Sequence, residues 1–388
     1  MTYTFAYRHY SLPFRTPMRT AHGVWTQREG LLVRLESETK SGTPIFGECA
    51  PIPWFGTETA DEAAAACATL GARVTDEQLD AISARLPCLR FALKSTLIQS
   101  LECGGRGSEA TGDTALSDLR MKTAHESGVA ASLCRRTPKK AVLPDCLPVA
   151  ALLPAGRAAL KKIPAFSESG FRTFKWKVGV SRLAGAADEI ALLDDVLAAL
   201  PADARLRLDA NGAWTRRTAE RWLARCADYP IEFVEQPIAP AIDTKSSDDL
   251  LLGLANDYPT PLALDESVAT AANARRWLQL GWPGIFVIKP SLLGDAAKVL
   301  AELPPGRTVF SSALETAVGA QAALRLAFRF YDEAKAGTAL RAALPPALGF
   351  GAWPLFNDER FDGPRAAPFI HRADLDKIEP ETLWNALS

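Results

Sequence analysis

Histidine is scarce in this chain of 388 residues: there are four, at positions 9, 22, 125 and 371. None closes one of the apolar runs described below, so imidazole is a poor choice of base for a site built from those runs. A surplus of either charge is also missing. Lysine and arginine number 44 against 45 aspartates and glutamates, a formal net charge of −1. Nothing in that balance would neutralise a phosphate backbone, so nucleic acid is not an expected partner. No apolar run reaches the roughly 18 residues of a membrane span, so no membrane partner is expected either. Met1 to Thr20 carries Tyr7, Arg8, His9, Arg15 and Arg19 and has no apolar core segment, unlike a signal peptide. Seven cysteines, at 49, 67, 88, 103, 134, 146 and 226, are odd in number and never spaced Cys-x-x-Cys. A disulfide frame and a zinc site are therefore not expected, and a reducing cytoplasm fits.

The composition that remains is that of a globular enzyme-sized chain, 48% hydrophobic and 23% charged. Its length suits two domains, or one barrel with an appendage. The first third reads as α+β, with its first 60 residues as strands. Gly30 to Glu36 alternates and is rich in branched residues; Ile45 to Ala50 follows after the turn residues Ser41-Gly42-Thr43-Pro44. Asp61 to Arg73 and Leu86 to Glu102 read as helices, the first with Thr59 or Asp61 as N-cap. Residues 103–140 are loop-like, and the charged stretch Arg135 to Lys140 reads as a solvated boundary. We expect an α+β capping domain over 1–135, a catalytic domain over 145–355, and a segment 356–388 that returns to the cap.

From residue 147 the texture changes. Short apolar runs alternate with helical stretches: Leu147 to Leu153, Phe171 to Val178, Arg205 to Leu208, Ile231 to Val234, Pro261 to Leu264, Gly284 to Ile288, Arg307 to Phe310, and an eighth at Leu348 to Phe350. Helices such as Ala187 to Leu200 and Arg217 to Asp228 lie between. Repeated strand–helix units argue for parallel strands, closed as a barrel or open and doubly wound.

The ends of these runs carry the chemistry. In order they read Lys175-Trp-Lys177, Asp209-Ala-Asn211, Glu235-Gln-Pro237, Asp265-Glu-Ser267, Lys289-Pro290 and Ser311-Ser312-Ala-Leu-Glu315. One polar group ends each unit, always at the carboxyl end of the strand. In a barrel those ends converge on one face, where active sites of such barrels sit. Three carboxylates without His or Cys suit a hard cation such as magnesium and disfavour zinc. Lys175 and Lys177, two apart on a strand, face the same way. Lys289 comes from the far side, so a bound substrate would lie between amines. A lysine acts as base only when its pKa is depressed, and a neighbouring cation does that. Abstraction of a proton α to a carboxylate is the reaction such a set supports.

This series of motifs resembles the muconate-lactonizing subgroup of the enolase superfamily. The resemblance implies a (β/α)7β barrel, TIM-like, with an α+β capping domain. It implies Mg2+ as cofactor, with Mn2+ able to substitute, held by Asp209, Glu235 and Asp265. Lys177 matches the general base, Lys175 its tuning neighbour, and Lys289 the opposite lysine, while Glu266 would support the ligands from behind. Further details resemble the o-succinylbenzoate synthase family: Arg207-Leu-Asp-Ala-Asn211, the loop Phe46 to Ile52 followed by Phe55-Gly-Thr-Glu58, the strand Arg28 to Val33, and Ser311-Ser312 with Glu315 and Val318-Gly319. These imply dehydration of 2-succinyl-6-hydroxy-2,4-cyclohexadiene-1-carboxylate through an enediolate, in menaquinone or phylloquinone synthesis. Arg207, Asn211, Ser311, Ser312 and Glu315 would contact the substrate, with backbone amides of the Ser311 segment taking its succinyl carboxylate. A lone His22 on a cap loop beside Arg19, together with Trp25 and Trp54, are further candidates to line the site.

Other members of the subgroup share the lysine pair. A racemase of N-succinylamino acids would use the same groups. A dipeptide epimerase would carry Asp-x-Asp on the last barrel strand, which here reads Leu348-Gly-Phe-Gly-Ala352. A barrel that binds metal without turnover would have lost catalytic residues, and none is lost.

Overall fold

The structure, a computed structural model, describes residues 1–20, 23–38, 43–104, 145–179, 186–241, 244–336 and 345–387. His22, His125 and Arg135 to Lys140 lie outside these residues. The chain opens with strands β1 (Thr2–Thr20), β2 (Gly23–Ser37) and β3 (Ile45–Cys49). Helix α1 (Ala60–Leu70), strand β4 (Arg73–Thr75) and helices α2 (Asp76–Asp80) and α3 (Pro87–Gly104) follow. The four strands form an antiparallel sheet in the order β3-β2-β1-β4. Its long hairpin exceeds the short strands that alternation alone marked. Helix starts are specified locally. The Thr59 hydroxyl accepts from the Glu62 N–H while the Glu62 carboxylate accepts from the Thr59 N–H, and Thr75 with Gln78 repeats this reciprocal cap at α2.

Next come β5 (Cys146–Pro148), β6 (Ala151–Leu153), α4 (Ala158–Glu168), β7 (Thr173–Lys177), α5 (Ala186–Ala199), β8 (Arg205–Asp209), α6 (Arg216–Cys226) and β9 (Ile231–Glu235). The run continues with α7 (Thr244–Asp257), β10 (Leu262–Leu264), α8 (Ala271–Gln279), β11 (Ile285–Ile288), α9 (Ala296–Glu302), β12 (Thr308–Phe310) and α10 (Ala317–Ala336). Strands β6 to β12 lie parallel and in sequence order. The ring closes through a short segment: Leu348 bridges Val149 and Gly349 bridges Ser311, both in parallel sense. The Leu348 N–H donates to Pro148 across 2.7 Å and the Gly349 N–H to Phe310 across 2.8 Å. The architecture is thus a (β/α)7β barrel with an α+β cap, and the open doubly wound alternative is excluded. The expected first strand, Leu147 to Leu153, is divided. Pro148 has no N–H for a continuous ladder, and β5 instead pairs antiparallel with β13 (Phe369–His371), Leu147 opposite Ile370. Two helices, α11 (Arg372–Asp376) and α12 (Pro380–Ala386), end the described chain.

The barrel strands read as nearly continuous apolar runs because both faces are buried. Outward residues pack under the helices: Trp176 meets Trp222 edge-on at 6.2 Å, and Trp222 stacks on Trp214 at 5.2 Å. Inward residues form layers. Phe233, Ala263, Val287 and Val309 make one apolar layer inside the ring. Two residues further along each strand, on the same side of the pleat, stand Glu235, Asp265, Lys289 and Ser311. The cap covers this end, since its apolar core takes in Ala269, Leu292 and Ala313 from loops that follow β10, β11 and β12. The chain's last segment also reaches the cap: Trp384 packs on Phe46 at 5.8 Å and beneath Arg8 at 4.6 Å. Among the described residues no helix is long and apolar enough to cross a membrane, and Cys49, Cys67, Cys88, Cys146 and Cys226 are free thiols.

Candidate active site

Strand register brings the polar strand ends together. Lys177 stands opposite Asp209 across β7 and β8, and Asp209 opposite Glu235 across β8 and β9. Glu235 in turn pairs with Ala263, two residues before Asp265. All three carboxylates are buried, with exposures of 8%, 1% and 6% for Asp209, Glu235 and Asp265. The Lys175 ammonium lies 2.8 Å from Asp209 Oδ2 and 2.6 Å from Glu235 Oε1. Lys289 forms an ion pair with Asp265, and its ammonium stands 5.3 Å from the ring centre of Phe55, which the cap contributes. Lys177 differs: among the described residues no carboxylate lies within ion-pair reach of it.

The local backbone holds these ends in uncommon shapes. Asn211 and Gln236 adopt positive φ, 44° and 38°, a region that side chains other than glycine rarely enter. Each has compensation. The Asn211 N–H donates to Asp209 Oδ1 at 3.1 Å, and its side-chain amide donates to Glu266 at 3.2 Å. Gln236 is fully buried. Its carbonyl accepts from the Asp265 and Ser267 N–H groups at 2.9 and 3.1 Å, while its amide donates to Ile238 and Ser267 at 2.7 Å each. Gln236 therefore fixes how the chain presents Asp265. Sequence reading quoted it only as part of Glu-Gln-Pro and gave it no role; a buried amide directly after a ligand candidate was the available signal.

Electrostatically the site holds more buried negative charge than its lysines offset. Burial pushes the Glu235 carboxyl up; Lys175 pulls it back, and Asp209 and Asp265 push it up further, to about 8. Burial and then Asp265 raise Glu266 to about 7, against the pull of Lys289. The same excess acts on the amines. Burial alone would lower Lys175, yet Asp209, Glu235 and Asp265 outweigh it and the net shift is upward. Lys289 moves upward for the same reason, through Asp265 and Glu266. Sequence reading cast Lys175 as a positive neighbour that depresses another lysine; in the structure its charge is already committed to two carboxylates.

A hard divalent cation fits these residues. Three carboxylates approach from adjacent strands, a positive charge is drawn between two of them, and the acceptors Asn211 Oδ1 and Glu266 Oε2 are buried without partners. Among the described residues no three His, Cys, Asp or Glu side chains converge on one point, because Lys175 stands between Asp209 and Glu235 and Lys289 engages Asp265.

The expected substrate contacts fare unevenly. Arg207 is 1% exposed and lies a layer below the strand ends. It bonds Glu232 at 2.6 Å and the Ala347 carbonyl at 2.7 Å, and lies 4.6 Å over the Phe233 ring. It braces the barrel interior beneath the site through Nε and Nη1, while its Nη2 is buried without a partner. Glu315 is likewise fully buried, accepting from the Ser312 hydroxyl at 3.0 Å. The amides of the Ser311 segment are also largely spent. Ser311 donates to Ile288 at 2.8 Å, Ser312 to Gly349 at 3.1 Å, Leu314 to the Ser312 hydroxyl at 2.8 Å and Thr316 to Glu48 at 2.9 Å. The Ser311 hydroxyl, with only a 3.4 Å contact to the Gly349 carbonyl, is the freest polar group there. Trp25 meets Trp54 edge-on at 4.8 Å and Phe14 at 5.1 Å, within the cap.

Comparison with known proteins agrees with this geometry. Residues 2–100 match a family model described as MenC, N-terminal domain, and residues 159–303 one described as Enolase C-terminal domain-like. The chain is 39% identical to an o-succinylbenzoate synthase of Thermosynechococcus vestitus, over 82% of this chain and 87% of the relative. A crystal structure of o-succinylbenzoate synthase from Thermosynechococcus elongatus, complexed with magnesium in the active site, superposes with a TM-score of 0.71. It is 34% identical and covers 99% of both chains. A dipeptide epimerase from Enterococcus faecalis, 20% identical, shares the fold with a TM-score of 0.66 over 96% of this chain and 97% of its own. On the strength of the 39% identity to the Thermosynechococcus vestitus relative over 82% of this chain, the chain belongs to the o-succinylbenzoate synthase family, a family of lyases in the enolase superfamily.

Proposed function

We propose that this protein dehydrates 2-succinyl-6-hydroxy-2,4-cyclohexadiene-1-carboxylate to o-succinylbenzoate, a step towards menaquinone or phylloquinone, with Mg2+ as its cofactor. The observation that carries the reading is the contrast among three lysines. Lys175 and Lys289 are held by carboxylates and stay cationic, while Lys177, beside Asp209 at the same rim, is the one without such a partner among the described residues. Asp209, Glu235 and Asp265 would hold the magnesium, which supplies an electrophilic partner for the substrate carboxylate.

Lys177 takes the proton α to that carboxylate. The electron pair released then expels the hydroxyl group as the ring becomes aromatic, and Lys177 returns its proton so that water leaves. Lys289, kept charged by Asp265 and Glu266, faces the ring from the other side as a cation over a π surface. The Ser311 hydroxyl is the seat for the succinyl carboxylate. Phe55, Trp25 and Trp54 exclude water from above.

An ultraviolet assay tests this: purified protein with the cyclohexadiene substrate should remove the diene absorbance with magnesium and not with chelator. Absence of turnover in folded, magnesium-loaded protein would overturn it. The second reading is a racemase of N-succinylamino acids, favoured by amines on both sides of the carboxylate set. Loss of α-deuterium from N-succinylamino acids reads it directly.

A further inference from the structure

We propose that Glu48 is a positioning residue: from strand β3 of the cap it sets the place of the Ser311–Gly319 segment, and with it the Ser311 hydroxyl seat. The use of that seat rests on the function proposed above; the grip on the segment does not.

Glu48 is fully buried and satisfied by four donors. One carboxylate oxygen accepts from the Tyr10 hydroxyl at 2.6 Å and the Thr316 N–H at 2.9 Å. The other accepts from the Gly319 N–H at 2.8 Å and from the Thr316 hydroxyl. Thr316 directly precedes α10 and Gly319 lies in its first turn, where N–H groups have no partner within the helix and the dipole favours a negative charge. A cap carboxylate therefore completes the amino end of a barrel helix. The approach requires glycine at 319, because a Cβ there would lie 2.9 Å from Glu48 Oε2 and 2.9 Å from Glu315 Cβ.

A second cap residue grips the same segment. Arg28, 1% exposed, donates through Nε to the Leu314 carbonyl at 3.2 Å and through Nη1 to the Pro51 and Glu29 carbonyls at 2.6 and 3.0 Å. Leu314 has φ 61°, a strained value for a branched side chain. Its shape persists because Arg28 holds its carbonyl while the Ser312 hydroxyl holds its N–H. The segment that starts at Ser311 is thus shaped from the cap at Leu314, Thr316 and Gly319. A carboxylate with four donors fixes register between two parts of the molecule in a way that apolar packing does not.

The test uses the full-length chain with Glu48→Gln, whose amide presents donors to donors, and Tyr10→Phe, which removes one bond and keeps the carboxylate. Hydrogen exchange resolved by residue reads the grip without reference to activity. Exchange in Glu48→Gln should quicken at least tenfold at Thr316 and Gly319 and also across Ser311 to Leu314. Steady-state kinetics read the consequence: KM for the cyclohexadiene substrate should rise at least tenfold, kcat should fall less than threefold, and magnesium affinity should stay within twofold. Tyr10→Phe should shift KM in the same direction by two- to fivefold, and it decides the matter if Glu48→Gln does not fold. Faster exchange confined to Thr316 and Gly319, with Ser311 to Leu314 unchanged, would overturn the proposal, as would an unchanged KM in a variant whose segment has loosened. A wild-type chain without turnover would sink the proposed function alone, since the exchange pattern still decides the grip.

Discussion

Lys175 donates to Glu235 across 2.6 Å although one strand, β8, lies between theirs. The ammonium spans that strand and meets its Asp209 on the way. A positive charge there offsets like charges that burial makes costly. Magnesium would take over this task. Glu235→Gln should therefore lower magnesium affinity by more than the roughly 10–100-fold seen when only a supporting partner is lost. Magnesium should raise the melting temperature of the wild type, because a ligand that binds the folded state stabilises it, and should leave that of the variant unmoved. Calorimetric titration and thermal melts check both; an unchanged affinity would remove Glu235 from the ligand set.

Lys177→Ala should separate binding from chemistry. Turnover should drop by about 10²–10⁴-fold, the usual share of a general base. Magnesium affinity should stay near the wild-type value, since no carboxylate among the described residues depends on this ammonium. Full activity in the variant would end its assignment as base.

Glu315 gives a pH dependence. Burial pushes its carboxyl up to about 7, with Glu48 adding to the shift. The folded chain thus keeps a proton that the unfolded chain has released above its ordinary value of 4.5. The stabilisation this represents is full below about 4.5 and is lost as pH rises through about 7. Glu315→Gln cannot ionise, so its melting temperature should match the wild type near pH 4 and exceed it near pH 8. Parallel melting curves across that window would contradict the assignment.

Gly349 and Ser311 meet where the barrel closes. A Cβ at 349 would lie 2.6 Å from Ser311 Oγ and 3.0 Å from Ser311 Cβ. Gly349→Ala should cost about 1–3 kcal/mol, as overpacking does, and should raise KM by displacing the hydroxyl. Gly306→Ala is the control, because nothing lies within 4 Å of its added Cβ. Equal melting temperatures for the two variants would show that the closing segment gives way freely.

Much of the site was legible because each of its ionic groups ends a short apolar run, and the pleat carries them to one face. The same pattern could not say which way Arg207 points in use. It shares a face with Asp209, two residues on, but lies a layer deeper, where Glu232 and the Ala347 carbonyl claim it. Nor could spacing show that Lys175 spends its charge on Asp209 and Glu235, since an ion pair is a three-dimensional fact. Glu48 and Thr316 stand 268 residues apart, in no shared motif, and only packing of cap on barrel unites them. In the cap, Thr59 was legible as a helix start because its reciprocal cap with Glu62 is local. The first 60 residues read as strands, but their joining into one long β1–β2 hairpin did not show, because its distal half has little apolar alternation to set a register.

Ring closure has a consequence for the order of assembly. Val149 and Leu348 are neighbours across the seam, yet nearly two hundred residues of chain separate them. The last ring contacts therefore depend on residues made long after β6, while the cap strands β1 to β3 precede both. During translation the nascent barrel would present two unpaired parallel edges, β6 and β12, each able to recruit a foreign strand. Production of this protein should be most sensitive to changes that delay or weaken the short stretch from Ala347 to Phe350, even though that stretch contributes no catalytic group.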